Sequence, residues 1–138
     1  MPDQSHIGRR YEASGQVIDA ERSRRFAAAI SGPGAVPFPG QVPPTFAAVY
    51  CQAPTLGQLF MDEEVGVNLA GLIHGEQSYE WPAPVHEGDV VDSSAEIINV
   101  EEKRGMTFLT IAIEAKRPAD GQVVCRGRSL MIIRGAGQ

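Results

Sequence analysis

The spacing of apolar residues changes along this chain, from a helical period in the first half to the period of two that strands show in the second. Arg10 to Ile18 is a candidate strand, and Asp19 can cap a helix that runs from Ala20 to about Ile30. A second helix, Pro44 to Ala53, is apolar around most of its circumference, which is typical of a buried helix. Pro54 is expected to kink or end it.

Period-two alternation dominates the rest of the chain and indicates antiparallel strands. One long strand is predicted from Val67 to Trp81, with His74 and Glu76 on the same face. Three more strands are predicted at Val90 to Val100, Thr107 to Ala115 and Val123 to Ile133. The order of elements favours an α+β architecture in which an antiparallel sheet wraps around a central buried helix.

The segment between the two helices is rich in proline and glycine. Five of the ten prolines of the chain fall from Gly32 to Pro44. Because proline fixes its own φ and restricts the residue before it, this segment is predicted to be a stiff, extended loop. Pro44 suits the first helical position, where the missing N–H is not needed.

Length and charge narrow the class of protein. The 138 residues are enough for one domain, so a single domain is expected over 1–138. Twelve Lys and Arg against seventeen Asp and Glu give a net charge of −5, which argues against nucleic-acid binding. The sequence shows no signal peptide and no apolar run near the roughly 20 residues of a membrane span. We therefore expect a cytoplasmic protein that does not bind membranes.

Residues that commonly carry chemistry are few and scattered. Cys51 and Cys125 are far apart in sequence, so free core thiols are expected rather than a disulfide framework or a zinc site. The three histidines do not form a metal-binding pattern, and neither a metal nor a cofactor is expected. His74 and Glu76 have two interpretations: an acid/base pair on the long strand, or simply a polar strand face.

Three short segments match the pattern of a known family. Pro43-Pro44-Thr45-Phe46 opens the central helix, Leu72 to Gln77 begins the long strand, and Pro84 to Val91 forms the turn into the next strand. Together with the order of elements, they resemble the MaoC-like hydratase and dehydratase superfamily, which has the hot-dog fold. The likeness covers nearly the whole chain and is greatest to dehydratase subunits of the HadA and HadC kind.

The resemblance implies a function. Enzymes of this superfamily of fatty-acid metabolism add water to, or remove it from, an acyl thioester carried on coenzyme A or acyl carrier protein. Active members use an Asp and a His in a D-x-N-P-[aliphatic]-H segment before the central helix, because the reaction needs a positioned acid and base. The corresponding loop here, Gly32 to Gln41, contains neither residue. The implied role is a substrate-binding subunit whose partner, a catalytic MaoC-like subunit, supplies the Asp and His.

The resemblance also places the substrate at the start of the central helix. Pro44, Thr45 and Phe46 are expected to bind it, with the backbone N–H groups of Thr45 and Phe46 donating to the thioester oxygen. Phe38 lies in the loop that is expected to shape the mouth of the acyl tunnel. Gly75 on the long strand permits close approach of a backbone or a ligand.

Two other hypotheses remain open at this stage. In one, a homodimer acts alone as a hydratase or thioesterase and uses His74 and Glu76. In the other, the chain binds acyl thioesters without catalysing any reaction. The leading hypothesis instead requires a heterodimer, and in each dimer the subunits are expected to associate through sheet pairing.

Overall fold

A five-stranded antiparallel sheet forms the framework of the protein. The structure is a computed structural model that describes residues 1–32 and 41–135. The strands are Arg10–Val17 (β1), Leu72–Glu80 (β2), Val90–Lys103 (β3), Met106–Arg117 (β4) and Gln122–Arg134 (β5). They are arranged in the order β1-β3-β4-β5-β2, so β1 and β2 are the edges. Helix α1 spans Ala20–Ser31, and short 3-10 turns occupy Gln4–His6 and Leu69–Gly71.

A central helix covers one face of the sheet, which we call the inner face. It runs without interruption from a 3-10 turn, Pro44–Phe46, through a π-helical turn, Ala48–Gln52, into the α-helix Ala53–Phe60 (α2). Its apolar side chains and the inward side chains of β3, β4 and β5 form the core, in which Leu59, Ile97 and Ile111 are fully buried. The predicted α+β arrangement around a buried helix is confirmed.

The π-helical turn allows the helix to continue through Pro54. Proline has no N–H, so a regular α-helix would leave the carbonyl of Tyr50 without its donor. Here the Ala53 N–H donates to the Ala48 carbonyl five residues earlier, and the buried Ser93 hydroxyl donates to the Tyr50 carbonyl at 2.5 Å. Of the two predicted effects of Pro54, a kink or an end, the end does not occur, because the Ser93 hydroxyl of β3 replaces the lost donor.

The remaining elements mostly follow the sequence prediction. The Asp19 side chain accepts a hydrogen bond from the Arg22 N–H at 2.7 Å and caps α1. Strand β3 extends three residues beyond its predicted end, and β4 and β5 extend by one or two residues at each end. Arg104 and Gly105 join β3 to β4 with φ of 54° and 75°, the two left-handed residues of a tight hairpin. In the described ranges no helix has the length and apolar character to cross a bilayer.

Strand β2 begins five residues later than predicted, at Leu72 rather than Val67. The chain first makes the 3-10 turn Leu69–Gly71, which passes very close to the end of β5. A Cβ on Gly71 would lie 2.7 Å from the Arg134 carbonyl oxygen, so only glycine fits there without a shift of the backbone.

A β-bulge at Gly75 then divides β2 into two halves. His74 pairs with Met131 and Glu76 pairs with Leu130, so Gly75 has no partner in β5. Met131 is buried against the helix, whereas Leu130 lies on the opposite, outer face. His74 therefore faces inward and Glu76 outward. The prediction that they share a face is wrong, because a bulge shifts the period-two pattern by one residue.

Loss of the Ser93 hydroxyl tests the account of the helix. Ser93→Ala should lower the free energy of unfolding by about 1–3 kcal/mol, since the buried Tyr50 carbonyl would lose its donor. Ser14→Ala, at an exposed strand position, is the control and should change the free energy of unfolding by less than about 0.5 kcal/mol. Urea unfolding measures both, and equal effects would contradict the role of Ser93.

Candidate functional site

A cleft of about 280 Å³ opens at the N-terminal end of the central helix. Its walls come from the chain just before the helix, from the first helical turns and from the turn that connects β2 to β3. The apolar part of the lining consists of Val42, Pro43, Pro44, Ala83, Pro84 and Val85. Such a lining suits an acyl chain or another apolar group.

Four larger or polar side chains complete the described lining: Gln41, Tyr50, Trp81 and His86. Trp81 is 41% exposed, and its ring centroid lies 5.4 Å from that of Tyr79, so it forms a broad apolar wall. Burial raises the pKa of Tyr50 well above its usual range, so its hydroxyl stays protonated. Within the described lining there is no carboxylate.

The turn that carries His86 is held in place by Arg117. The Arg117 guanidinium donates to the Pro84 carbonyl at 2.8 Å and to the Asp89 carboxylate at 3.0 Å. The same Asp89 oxygen also accepts the His86 backbone N–H at 2.9 Å. The His86 ring is 62% exposed, with Nδ1 at 3.7 Å from this oxygen. Asp89 thus serves mainly to fix the turn.

The start of the helix differs in part from the sequence prediction. Pro44 lines the cleft, and Thr45 is exposed with no backbone acceptor for its N–H within the described ranges. The Phe46 N–H already donates to the Pro43 carbonyl at 2.9 Å. The Phe46 ring is 3% exposed and packs edge-on against Phe26. The expected donation by the Phe46 N–H to a substrate therefore does not fit this geometry.

A second polar cluster lies between the central helix and β2. Gln52, in the π-helical turn, donates from Nε2 to Gln77 Oε1 at 2.6 Å and to Ser129 Oγ at 3.2 Å. The Tyr79 hydroxyl donates to Gln52 Oε1, and the Ser129 hydroxyl donates to Gln77 Oε1 at 2.5 Å. The His74 Nε2 atom lies 3.1 Å from the same Gln77 oxygen. This network fixes the edge strand to the helix, since both ends of the buried Gln52 amide are paired.

Several predicted site residues lie away from the cleft. His74 belongs to the network under β2, and Glu76 is on the outer face of the sheet. Gly75 is the bulge residue, and a Cβ there would meet Ile132 Cδ1 at 2.9 Å. Phe38 falls outside the described residues. The binding roles predicted for Pro44 and Thr45 stay predictions.

Tyr50, Trp81 and His86 were not among the site residues predicted from the sequence. They come together only because the turn 82–89 folds against the start of the helix. One signal was present: the only tryptophan of the chain lies just before the family-like segment Pro84 to Val91.

Comparison with known proteins places the chain in a family. Residues 5–126 match the sequence model of the family described as "FAS1-like, dehydratase domain region". The chain belongs to this dehydratase-region family. A UPF0336 protein of Cutibacterium acnes is 33% identical over 118 residues, which cover 82% of each chain.

Solved structures show the same fold. A chain of the HadBC (3R-hydroxyacyl-ACP dehydratase) complex of Mycobacterium tuberculosis superposes with a TM-score of 0.73 at 19% identity, over 92% of this chain and 96% of its own. The (R)-hydratase of A. caviae involved in PHA biosynthesis superposes with a TM-score of 0.58 at 23% identity, over 94% and 98%. The predicted hot-dog fold and the resemblance to the MaoC-like superfamily are confirmed.

Titration of the three tyrosines tests the packing around the site. Burial raises the pKa of Tyr11 and Tyr79 to about 12, and it raises that of Tyr50 further. A tyrosine in the unfolded chain has a pKa of about 10. The raised pKa values therefore add to the stability of the folded state below about pH 10, and this contribution is lost as the pH rises through 12. Between about pH 10 and pH 12, the folded protein should show much less tyrosinate absorbance than the same chain unfolded in urea. Tyrosinate formation near pH 10 in the folded chain would contradict the packing.

Proposed function

We propose that this chain is the substrate-binding subunit of a (3R)-hydroxyacyl-thioester dehydratase or enoyl-thioester hydratase. The catalytic Asp and His are supplied by a MaoC-like partner subunit. One observation carries the proposal: the helix-start cleft has a mainly apolar lining without a carboxylate among the described residues, and the sequence from Gly32 to Gln41, just before the helix, contains neither Asp nor His.

The chemistry explains why this lining needs a partner. To add water to an enoyl thioester, a base must take a proton from water and an acid must give one to the α-carbon. The negative charge that develops on the thioester oxygen also needs a hydrogen-bond donor. The backbone N–H of Thr45, an exposed residue at the start of the helix, is our candidate for that donor, since it has no acceptor among the described residues. His86 is the one imidazole in the described lining, and the carboxylate nearest to it, Asp89, is occupied by Arg117.

The edge strand β2 is the proposed site of association with the partner. It pairs with β5 on one side only, so its other side presents a row of backbone groups that a strand of a second subunit can pair with. The network around Gln52 and Gln77 holds this strand against the central helix. A partner joined at β2 would lie beside the inner face, and its Asp and His would complete a site shared by the two subunits.

One of the two alternative hypotheses receives less support from the structure, and the other needs a separate experiment. An enzyme that works alone through His74 and Glu76 would need the two side chains to meet, and they lie on opposite faces of β2. The cleft is equally consistent with a protein that binds acyl thioesters without catalysing a reaction and with the proposed substrate-binding subunit. Reconstitution with a partner separates it from the leading proposal.

Reconstitution is the test of the proposed function. The chain would be purified alone and together with a MaoC-like protein that carries the D-x-N-P-[aliphatic]-H segment. Hydration of crotonyl-coenzyme A would be followed by loss of its enoyl absorbance. We expect no turnover by this chain alone and turnover by the mixture. Replacing the catalytic His of the partner by Ala should abolish turnover by the mixture, whereas His86→Ala in this chain should lower the turnover rate by a smaller factor.

Other results would contradict the proposal. Turnover by this chain alone that disappears on His86→Ala or His74→Ala would identify an enzyme that needs no partner. No turnover in either preparation, with the acyl thioester still bound, would favour a binding module.

A further inference from the structure

The helix-start cleft has an open mouth and a closed inner end. Its mouth is at Trp81 and His86, whose side chains are largely exposed. Its inner end is at Pro43, which is fully buried, and at Tyr50, which is 4% exposed. The volume of the cleft, about 280 Å³, lies just below the range of about 300–1,000 Å³ that is usual for sites of drug-sized ligands. A group that enters at the mouth therefore meets the Tyr50 side chain after a short distance.

Behind the inner end of the cleft, the inner face of the sheet carries small side chains. Ser93 pairs with Ala115, and Ala115 pairs with Cys125, so the three lie side by side across β3, β4 and β5. All three are buried. We call them the small row. Because the interior of a protein is packed to a nearly uniform density, a row of small side chains needs a large side chain above it from the element that faces it.

Two observations place Tyr50 over the small row. The Ser93 hydroxyl donates to the Tyr50 carbonyl at 2.5 Å, which holds the backbone of the helix to this row. Burial raises the pKa of the Tyr50 hydroxyl and the nearby Cys125 thiol raises it further, so the hydroxyl also lies close to the row. The Phe46 ring packs beside Tyr50, with 6.2 Å between the ring centroids. The Tyr50 ring thus fills the space between helix and sheet, and its backbone is anchored to β3.

We propose that Tyr50 limits the length of the acyl chain that the cleft accepts, so that the substrates are short-chain acyl thioesters. The inference rests on the proposed function, because it takes the cleft to be the acyl site. Short chains such as butyryl and hexanoyl end before the ring, whereas the last carbons of a longer chain would have to displace it. Loss of the ring would extend the cleft along the small row, and an apolar cavity inside a protein takes up apolar groups.

Binding of a series of saturated acyl-coenzyme A thioesters to the purified chain tests the role of Tyr50. Each methylene that leaves water for an apolar site strengthens binding about fourfold. In the wild type, affinity should rise from butyryl- to hexanoyl-coenzyme A and then stop, with octanoyl-coenzyme A bound no more tightly than hexanoyl-coenzyme A. In Tyr50→Ala, octanoyl-coenzyme A should bind about tenfold more tightly than hexanoyl-coenzyme A, because two more methylenes are then buried. Isothermal titration calorimetry measures these affinities, with coenzyme A alone as the reference.

Matched variants separate the Tyr50 ring from other effects. Tyr50→Phe keeps the ring and removes only the hydroxyl, so affinity should still stop rising at hexanoyl-coenzyme A. Tyr11→Ala removes a buried ring near the other end of the helix, where the Tyr11 hydroxyl donates to Asp62 at 2.7 Å, and it should keep the wild-type pattern. Circular dichroism checks that each variant is folded, and Tyr50→Leu takes the place of Tyr50→Ala if the alanine variant does not fold. The wild-type pattern needs no variant.

The role of Tyr50 is overturned if octanoyl-coenzyme A binds the wild type about tenfold more tightly than hexanoyl-coenzyme A, or if the folded Tyr50 variant shows no such gain. It is also overturned if Tyr11→Ala shows the same gain, since a general loosening of the core would then explain it. In each of these results the short thioesters still bind, so the proposed function is not affected. If no member of the series binds to the wild type, the proposed function fails together with the role of Tyr50.

Discussion

The helix in the middle of the protein must remain buried although Pro54 removes one of its hydrogen-bond donors. The structure meets this constraint with a π-helical turn and with the Ser93 hydroxyl, which donates to the Tyr50 carbonyl from the sheet. The wider turn also sets the direction of its side chains. Tyr50 reaches the helix-start cleft, and Gln52 reaches the edge strand β2. The lining of the cleft and the attachment of the edge strand therefore both depend on the π-helical turn that lets the helix continue through Pro54.

The sequence predicted the elements whose patterns are local. The buried helix, the capped first helix and the strands β3 to β5 follow from apolar spacing and turn residues, and the family likeness added the fold. The break in β2 was not predictable in this way. In the sequence, the segment from His74 to Glu76 follows the regular alternation of a strand. Only the pairing of β2 with β5 shows that Gly75 has no partner and forms a bulge.

The start of the central helix was predictable, but most of the lining of the cleft was not. Pro44 was expected at the first helical position, where proline is favoured, and it lies there in the lining of the cleft. Trp81 and His86 could not be assigned, because the turn that carries them is brought to the helix by Arg117, far along the chain. Phe46 was expected to contact the substrate, but its ring packs in the core and its N–H is used within the turn.

The proposed function requires a cleft that binds an acyl thioester but lacks the groups to hydrate it. Trp81 is the only tryptophan and lines the cleft, so its fluorescence reports occupancy directly. The decisive measurement adds crotonyl-coenzyme A to the purified chain and records tryptophan fluorescence and enoyl absorbance in the same sample, with coenzyme A alone as the control. We expect a saturable change in fluorescence while the enoyl absorbance stays constant. A falling absorbance, or fluorescence that does not respond, would contradict it.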